Sequence, residues 1–78
     1  MRAFRPLTVP ARAHPLVRLL FDKMNHEQIG VLDMAERSGV NKNTLKDWRT
    51  RTAPTVDNIE ACFNVVGLTL TVKRIPDA

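Results

Sequence analysis

The stretch Met34-Ala35-Glu36-Arg37-Ser38-Gly39-Val40-Asn41-Lys42-Asn43-Thr44-Leu45-Lys46-Asp47-Trp48 decides the reading of this chain. It reads as a short helix, a tight turn and a second short helix. Met34 and Ala35 form the inward side of the first helix. Gly39 reaches positive φ at little steric cost, as a sharp turn demands. Val40 follows as an apolar plug. Asn41 has a side chain able to accept from the orphan N–H groups that open a new helix. Leu45 and Trp48, three apart, share one face of that helix. Lys42, Asn43, Lys46 and Asp47 fall on its other faces. They are residue types that hydrogen-bond to base edges or pair with phosphates.

Upstream, Pro15 suits the first turn of a helix, where its missing N–H costs nothing. Leu16, Leu19, Leu20, Lys23 and Met24 recur at helical spacing, and Val17 and Phe21 widen the apolar face. This predicts a helix over about 15–26. Asp22 and His26 are i,i+4 neighbours and read as an exposed contact rather than a site. Ile29 is expected to be buried and Gly30 to serve as a weak cap for a helix over about 31–38. Val31, Met34 and Ala35 make the inward stripe of that helix, and Leu32 falls off it. Asp33 and Glu36 lie near its start, where the helix dipole favours negative charge.

Downstream, the third helix is expected over about 41–50, with Thr44 or Leu45 plus Trp48 inward. Pro54 ends it. Thr55 can cap a fourth helix with Asp57 in its first turn. Val56, Ile59, Cys62, Phe63 and Val66 form its stripe, and Gly67 stops it as the residue beyond the cap. After Gly67 the period changes to two: Leu68, Leu70 and Val72 alternate with Thr69, Thr71 and Lys73. That pattern predicts a half-buried strand over 68–75. A strand needs partners for its N–H and C=O groups. Two are open: Leu7-Thr8-Val9, or the same strand of a second copy across a two-fold axis. The second is favoured, because dimers gain affinity.

Residues 1–13 carry Pro6 and Pro10 among Arg2, Arg5 and Arg12, and are expected to be a basic, extended arm. It either reaches into a groove of DNA or packs loosely on the domain. Residues 14–78 form the domain proper.

Composition narrows the function classes. Seventy-eight residues hold one small domain. A net charge of +4 suits a polyanionic partner. The single cysteine, Cys62, excludes an internal disulfide and fits a reducing, cytoplasmic setting. No apolar run is long enough for a membrane span, and the start lacks the apolar core of a secretory signal. His14, His26 and Cys62 lack zinc spacing, so no metal is expected. There is no glycine-rich phosphate loop, and nothing supports a nucleophilic triad around Ser38. No enzyme and no cofactor are expected. Trp48 reads as core rather than as a base-stacking platform. Aromatic content of 5% is too low for a single-strand stacking surface.

At Ala35, Gly39, Val40, Asn41, Leu45 and Trp48 the chain resembles the Cro and lambda-repressor-like (XRE) helix-turn-helix family. The resemblance covers roughly residues 16–67, and Pro54-Thr55, Ile59 and Gly67 are similar to the family's loop and fourth helix beyond the reading helix. It implies a mainly α, four-helix domain, here with a C-terminal strand in place of the family's usual fifth helix. Two positions depart from the pattern: Val31 stands where a phosphate-touching Gln is common, and Arg49 where an acidic residue is usual. Position by position, the resemblance implies base contacts from Lys42, Asn43, Lys46 and Asp47, with Lys42 suited to guanine and Asn43 to adenine. Arg49, Arg51 and Thr52 are implied phosphate ligands.

The expected function is a sequence-specific double-stranded DNA-binding regulator. It would act as a homodimeric repressor through Leu68, Leu70 and Val72. The alternative is an antitoxin-type module that also binds a toxin partner, docked along the edge of residues 68–75.

Overall fold

The chain is described by a computed structural model over residues 4–50 and 52–76. Within these residues four helices follow one another: α1 (Pro15–Glu27), α2 (Val31–Ser38), α3 (Lys42–Asp47) and α4 (Val56–Val65). Each start is set by a local device. His14 caps α1 through Nδ1, which accepts from the Leu16 amide at 3.0 Å, and Pro15 occupies the first turn. Gly30 opens α2 without a side-chain cap. Asn41 Oδ1 accepts from the Asn43 amide at 2.8 Å at the head of α3. Thr55 Oγ1 accepts from the Asn58 amide at 3.3 Å at the head of α4.

The helix ends are equally specific. Gly67, at φ +80°, follows α4. Its amide donates to Asn64 O and that of Leu68 donates to Phe63 O, the paired closing bonds of a Schellman motif. Gln28 closes α1 in the same way, with Ile29 N donating to Met24 O at 2.8 Å. Gln28 does so at φ 57°, although it is not glycine, which costs about 1 kcal/mol. The buried Met24 and Ile29 on either side of the turn offset that strain.

α4 packs on both α1 and α2, and α3 packs on α2. The shared core is Val17, Leu20, Phe21 and Met24 from α1, Ile29, Met34, Val40, Leu45 and Trp48, and Ile59, Cys62 and Phe63 from α4. Burying each of the larger side chains contributes roughly 1.5–3 kcal/mol. No charged or polar residue is buried among the described residues.

Several expectations need correction. On α1 the buried stripe runs through Val17 and Phe21, while Leu16 is only half-buried and Leu19 is exposed. Apolar residues are so dense there that two helical faces overlap, and α4 covers only one. Val56, in the first turn of α4, is 71% exposed because it lies at the end of the stripe, beyond the packed core. α3 stops at Asp47 rather than continuing to about residue 50. Arg49 N and Thr50 N reach back only three residues, to Lys46 O and Asp47 O, and Thr52 N also donates to Asp47 O, so the chain tightens and leaves the helix axis.

The C-terminal strand over 68–75 is absent: these residues form neither strand nor helix. The nearest strand candidate is already occupied. Leu7 N donates to Asn25 Oδ1 at 2.7 Å, and Asn25 Nδ2 donates to Leu7 O at 2.9 Å. The side-chain amide of Asn25 thus takes both backbone groups of Leu7, as a neighbouring strand would, and pins the arm to α1. Beyond the Leu68 amide, which donates to Phe63 O, no backbone hydrogen bond ties the tail among the described residues. Leu70 packs against the core, and Val72 is 98% exposed.

The amide clamp is testable. Asn25→Ala is expected to destabilise the protein by about 1–2 kcal/mol, because two part-buried hydrogen bonds are lost together. Hydrogen exchange should show loss of protection at the Leu7 amide before any change in α4; an unchanged Leu7 rate contradicts the clamp.

Candidate nucleic-acid interface

α3 and the turn before it are built by short-range bonds. Gly39, at φ +81°, closes α2 with its amide on Ala35 O at 3.0 Å. A side chain at this φ is strained whatever the surrounding space. Ser38 Oγ accepts from the Val40 amide at 3.1 Å and so fixes the descent into the core. Val40 is buried, Asn41 caps, and α3 begins. Leu45 and Trp48 then point inward and are almost wholly buried, with Thr44 half-buried beside them.

The opposite face is exposed. Lys42, Asn43, Lys46 and Asp47 all lie in solvent. Among the described residues none of their side chains joins a hydrogen bond or an ion pair. The sole ion pair among those residues is Asp33–Arg37 on α2, at 3.0 Å and well exposed, worth about 0.3–0.5 kcal/mol. The four side chains expected from the sequence to contact bases are therefore gathered on one short helix and are unengaged there.

The expected phosphate ligands separate. Arg49 is half-buried just beyond α3. Thr52 is exposed, with its amide held by Asp47 O at 3.2 Å. Arg51 lies outside the described residues. Arg49 and Thr52 line an open notch of about 250 Å3, whose other wall is Arg12 and His14 from the segment before α1. Sequence reasoning places Arg12 on a separate arm and gives His14 no role. The juxtaposition joins residues some 35 positions apart, and no local pattern announces it; only the His14-Pro15 pair, a cap before a first-turn proline, signals part of it.

The residues expected at a dimer contact also divide. Leu68 is about one-third exposed, Leu70 is half-buried against the core, and Val72 stands clear of it.

Cys62 is fully buried on α4. Burial pushes its thiol up from the ordinary value, and the neighbouring Ser38 hydroxyl pulls it partly back. No group of three or more metal-ligating side chains occurs among the described residues. None of the described helices is long and apolar enough to cross a membrane.

Comparison with family models, with curated proteins and with solved structures finds no match for this chain.

The thiol gives a pH prediction. Its folded-state value lies above the ordinary 9.0, so its contribution to stability is complete below that pH. Above it the unfolded chain ionises first, and stability falls as the pH rises towards the folded value. Thermal melts from neutral to strongly alkaline pH should show this decline in the native chain. Cys62→Ala should be less stable at neutral pH yet decline less steeply; parallel curves for the two proteins contradict the assignment.

Proposed function

We propose that this chain is a sequence-specific double-stranded DNA-binding regulator that sets α3 into the major groove, in the manner of XRE-type helix-turn-helix proteins. One observation carries the reading. A six-residue helix is held by its buried inner face, while Lys42, Asn43, Lys46 and Asp47 crowd its outer face with no partner among the described residues. What raises this face above an ordinary solvated surface is its place on the second helix of a helix-turn-helix pattern, followed directly by Arg49. The side chains are chemically varied: two cations, an amide and a carboxylate. That variety suits base edges, whose donors and acceptors differ from pair to pair. The net charge of +4 favours approach to a polyanion.

Lys42 suits the acceptor edge of guanine, and Asn43 the donor–acceptor edge of adenine. Arg49 and Thr52 stand beside this face and suit phosphates, which fix register without reading sequence. Occlusion of a promoter is the simplest mode of action, and the regulator is then a repressor.

The same reading takes the protein to be a homodimer on a near-palindromic site, with two α3 helices about 34 Å apart. What supports this is apolar surface that the monomer leaves in water. A groove of about 380 Å3 is lined by Leu16, Val56, Leu70 and Val72, with Leu68 nearby on the same tail. Side-chain packing of this patch on its copy, rather than strand pairing, is the proposed contact.

Two measurements test these statements. Binding to the DNA upstream of its own gene should weaken steeply with salt and exceed binding to random duplex. Lys42→Ala should relax preference at one base position by roughly 1–3 kcal/mol. A flat salt response, or no preference over random duplex, overturns the DNA reading. Sedimentation should give a dimer for the native chain and a monomer for Val72→Glu. An unchanged dimer removes the patch from the interface, and copurification of a different chain on this patch assigns it to an unlike partner.

A further inference from the structure

We propose that the notch between the segment preceding α1 and the turn following α3 is a phosphate site, filled by one backbone phosphate of the duplex that α3 reads. The proposal rests on the DNA reading above and adds to it a second piece of the chain, because residues 12–14 have no part in a helix-turn-helix unit.

Cations and neutral donors line the notch. Arg12, His14, Arg49, Thr50 and Thr52 supply guanidinium, imidazole and hydroxyl groups, and Trp48 forms part of the wall. No carboxylate is among the lining residues. Two arginines share the lining of one open notch of about 250 Å3, an arrangement that an anion bound between them would stabilise. Neither Arg12 nor Arg49 has an acidic partner among the described residues, where the only ion pair is Asp33–Arg37.

His14 adds a directed donor. Its Nδ1 accepts from the Leu16 amide, which places the ring N–H at Nε2. The cap therefore leaves one imidazole N–H for a ligand. The adjoining start of α1 holds no acidic residue in its first turn, so its positive end is not neutralised from within the helix. The hydroxyls of Thr50 and Thr52, both exposed, add neutral donors. A phosphate fits this combination better than a carboxylate does. It offers several acceptor oxygens in different directions, and arginine meets such oxygens in pairs.

Position selects the source of the phosphate. Arg49 follows α3 directly, two residues beyond Asp47 on the reading face. A duplex lying along α3 brings its backbone past this end of the helix. Arg12 is set opposite Arg49 because the Asn25 clamp on Leu7 and the Pro10–Ala13 turn, closed by Ala13 N on Pro10 O at 3.3 Å, direct the segment to that wall. The arm thus serves as the second jaw of a phosphate grip.

The test uses the full chain, a specific duplex, a random duplex and inorganic phosphate. Arg12→Ala should weaken binding to both duplexes alike, roughly 5–10-fold at 0.1 M salt, and reduce the salt slope by about one. Arg12→Lys should keep most of the slope. The Arg12→Ala/Arg49→Ala pair should lose less than the product of the single losses, since both contact one phosphate. Lys73→Ala, which removes the same charge away from the notch, should leave the slope nearly unchanged. Native melting curves for each variant exclude misfolding. An Arg12→Ala protein with native affinity and slope, but with the Lys42 preference intact, overturns the notch and leaves the DNA reading standing. A native chain that binds no duplex overturns both. If inorganic phosphate then still shifts the emission of Trp48, the sole tryptophan, and Arg12→Ala abolishes that shift, the notch is a free-phosphate site and the backbone assignment is wrong.

Discussion

Everything in this small domain depends on the burial of Leu45 and Trp48. A helix of six residues cannot hold itself together in water, because nucleation is costly and isolated helices shorter than about 12–15 residues are marginal. α3 exists because Leu45 within it and Trp48 at its C-terminal cap complete a core made by α1, α2 and α4. Asn41 and Gly39 determine where it starts, but the cap alone, worth about 1 kcal/mol, would not keep it formed. The outer face of α3 is therefore displayed by the core and not by the helix. Its orientation is as rigid as the packing beneath it.

The core is wholly apolar among the described residues, and its one ionisable member, Cys62, is kept neutral by burial. Nearly all the charge stands at the surface, and only Asp33 and Arg37 neutralise each other at close range. Fold and charge are thus decoupled. Salt and pH near neutrality act on what the protein binds far more than on whether it folds.

Much of this was legible in the sequence, for reasons that differ by residue. Gly39, Val40, Asn41, Thr55 and Gly67 obey rules that reach no further than four or five positions, and α3 and α4 begin where those rules put them. Leu45 and Trp48 were readable as core because three-residue spacing on a short helix leaves one inward face. The failures came where the deciding contact is distant. Asn25 binds Leu7 across 18 positions, and no spacing rule encodes that bond. It occupies one of the two partners open to the alternating 68–75 pattern, the other being a second copy, so the period-two signal forms no strand within the chain. Leu19 and Val56 were misread because periodicity gives a face but not how far the neighbouring helix covers it. The four candidate residues on α3 are legible as a group because they share one short helix; the grouping of Arg12 and His14 with Arg49 is not, since these residues share a notch only in three dimensions.

The uncommitted outer face of α3 has an evolutionary consequence. Lys42, Asn43, Lys46 and Asp47 carry no duty in the packing, so replacing any of them should move stability by no more than about 0.5 kcal/mol. A lineage can therefore drift through many combinations at these four positions without passing through an unfolded intermediate. Paralogues of one scaffold can diverge in target while melting at nearly the same temperature. For the same reason the domain suits directed selection: a library randomised at these positions should consist mostly of folded members.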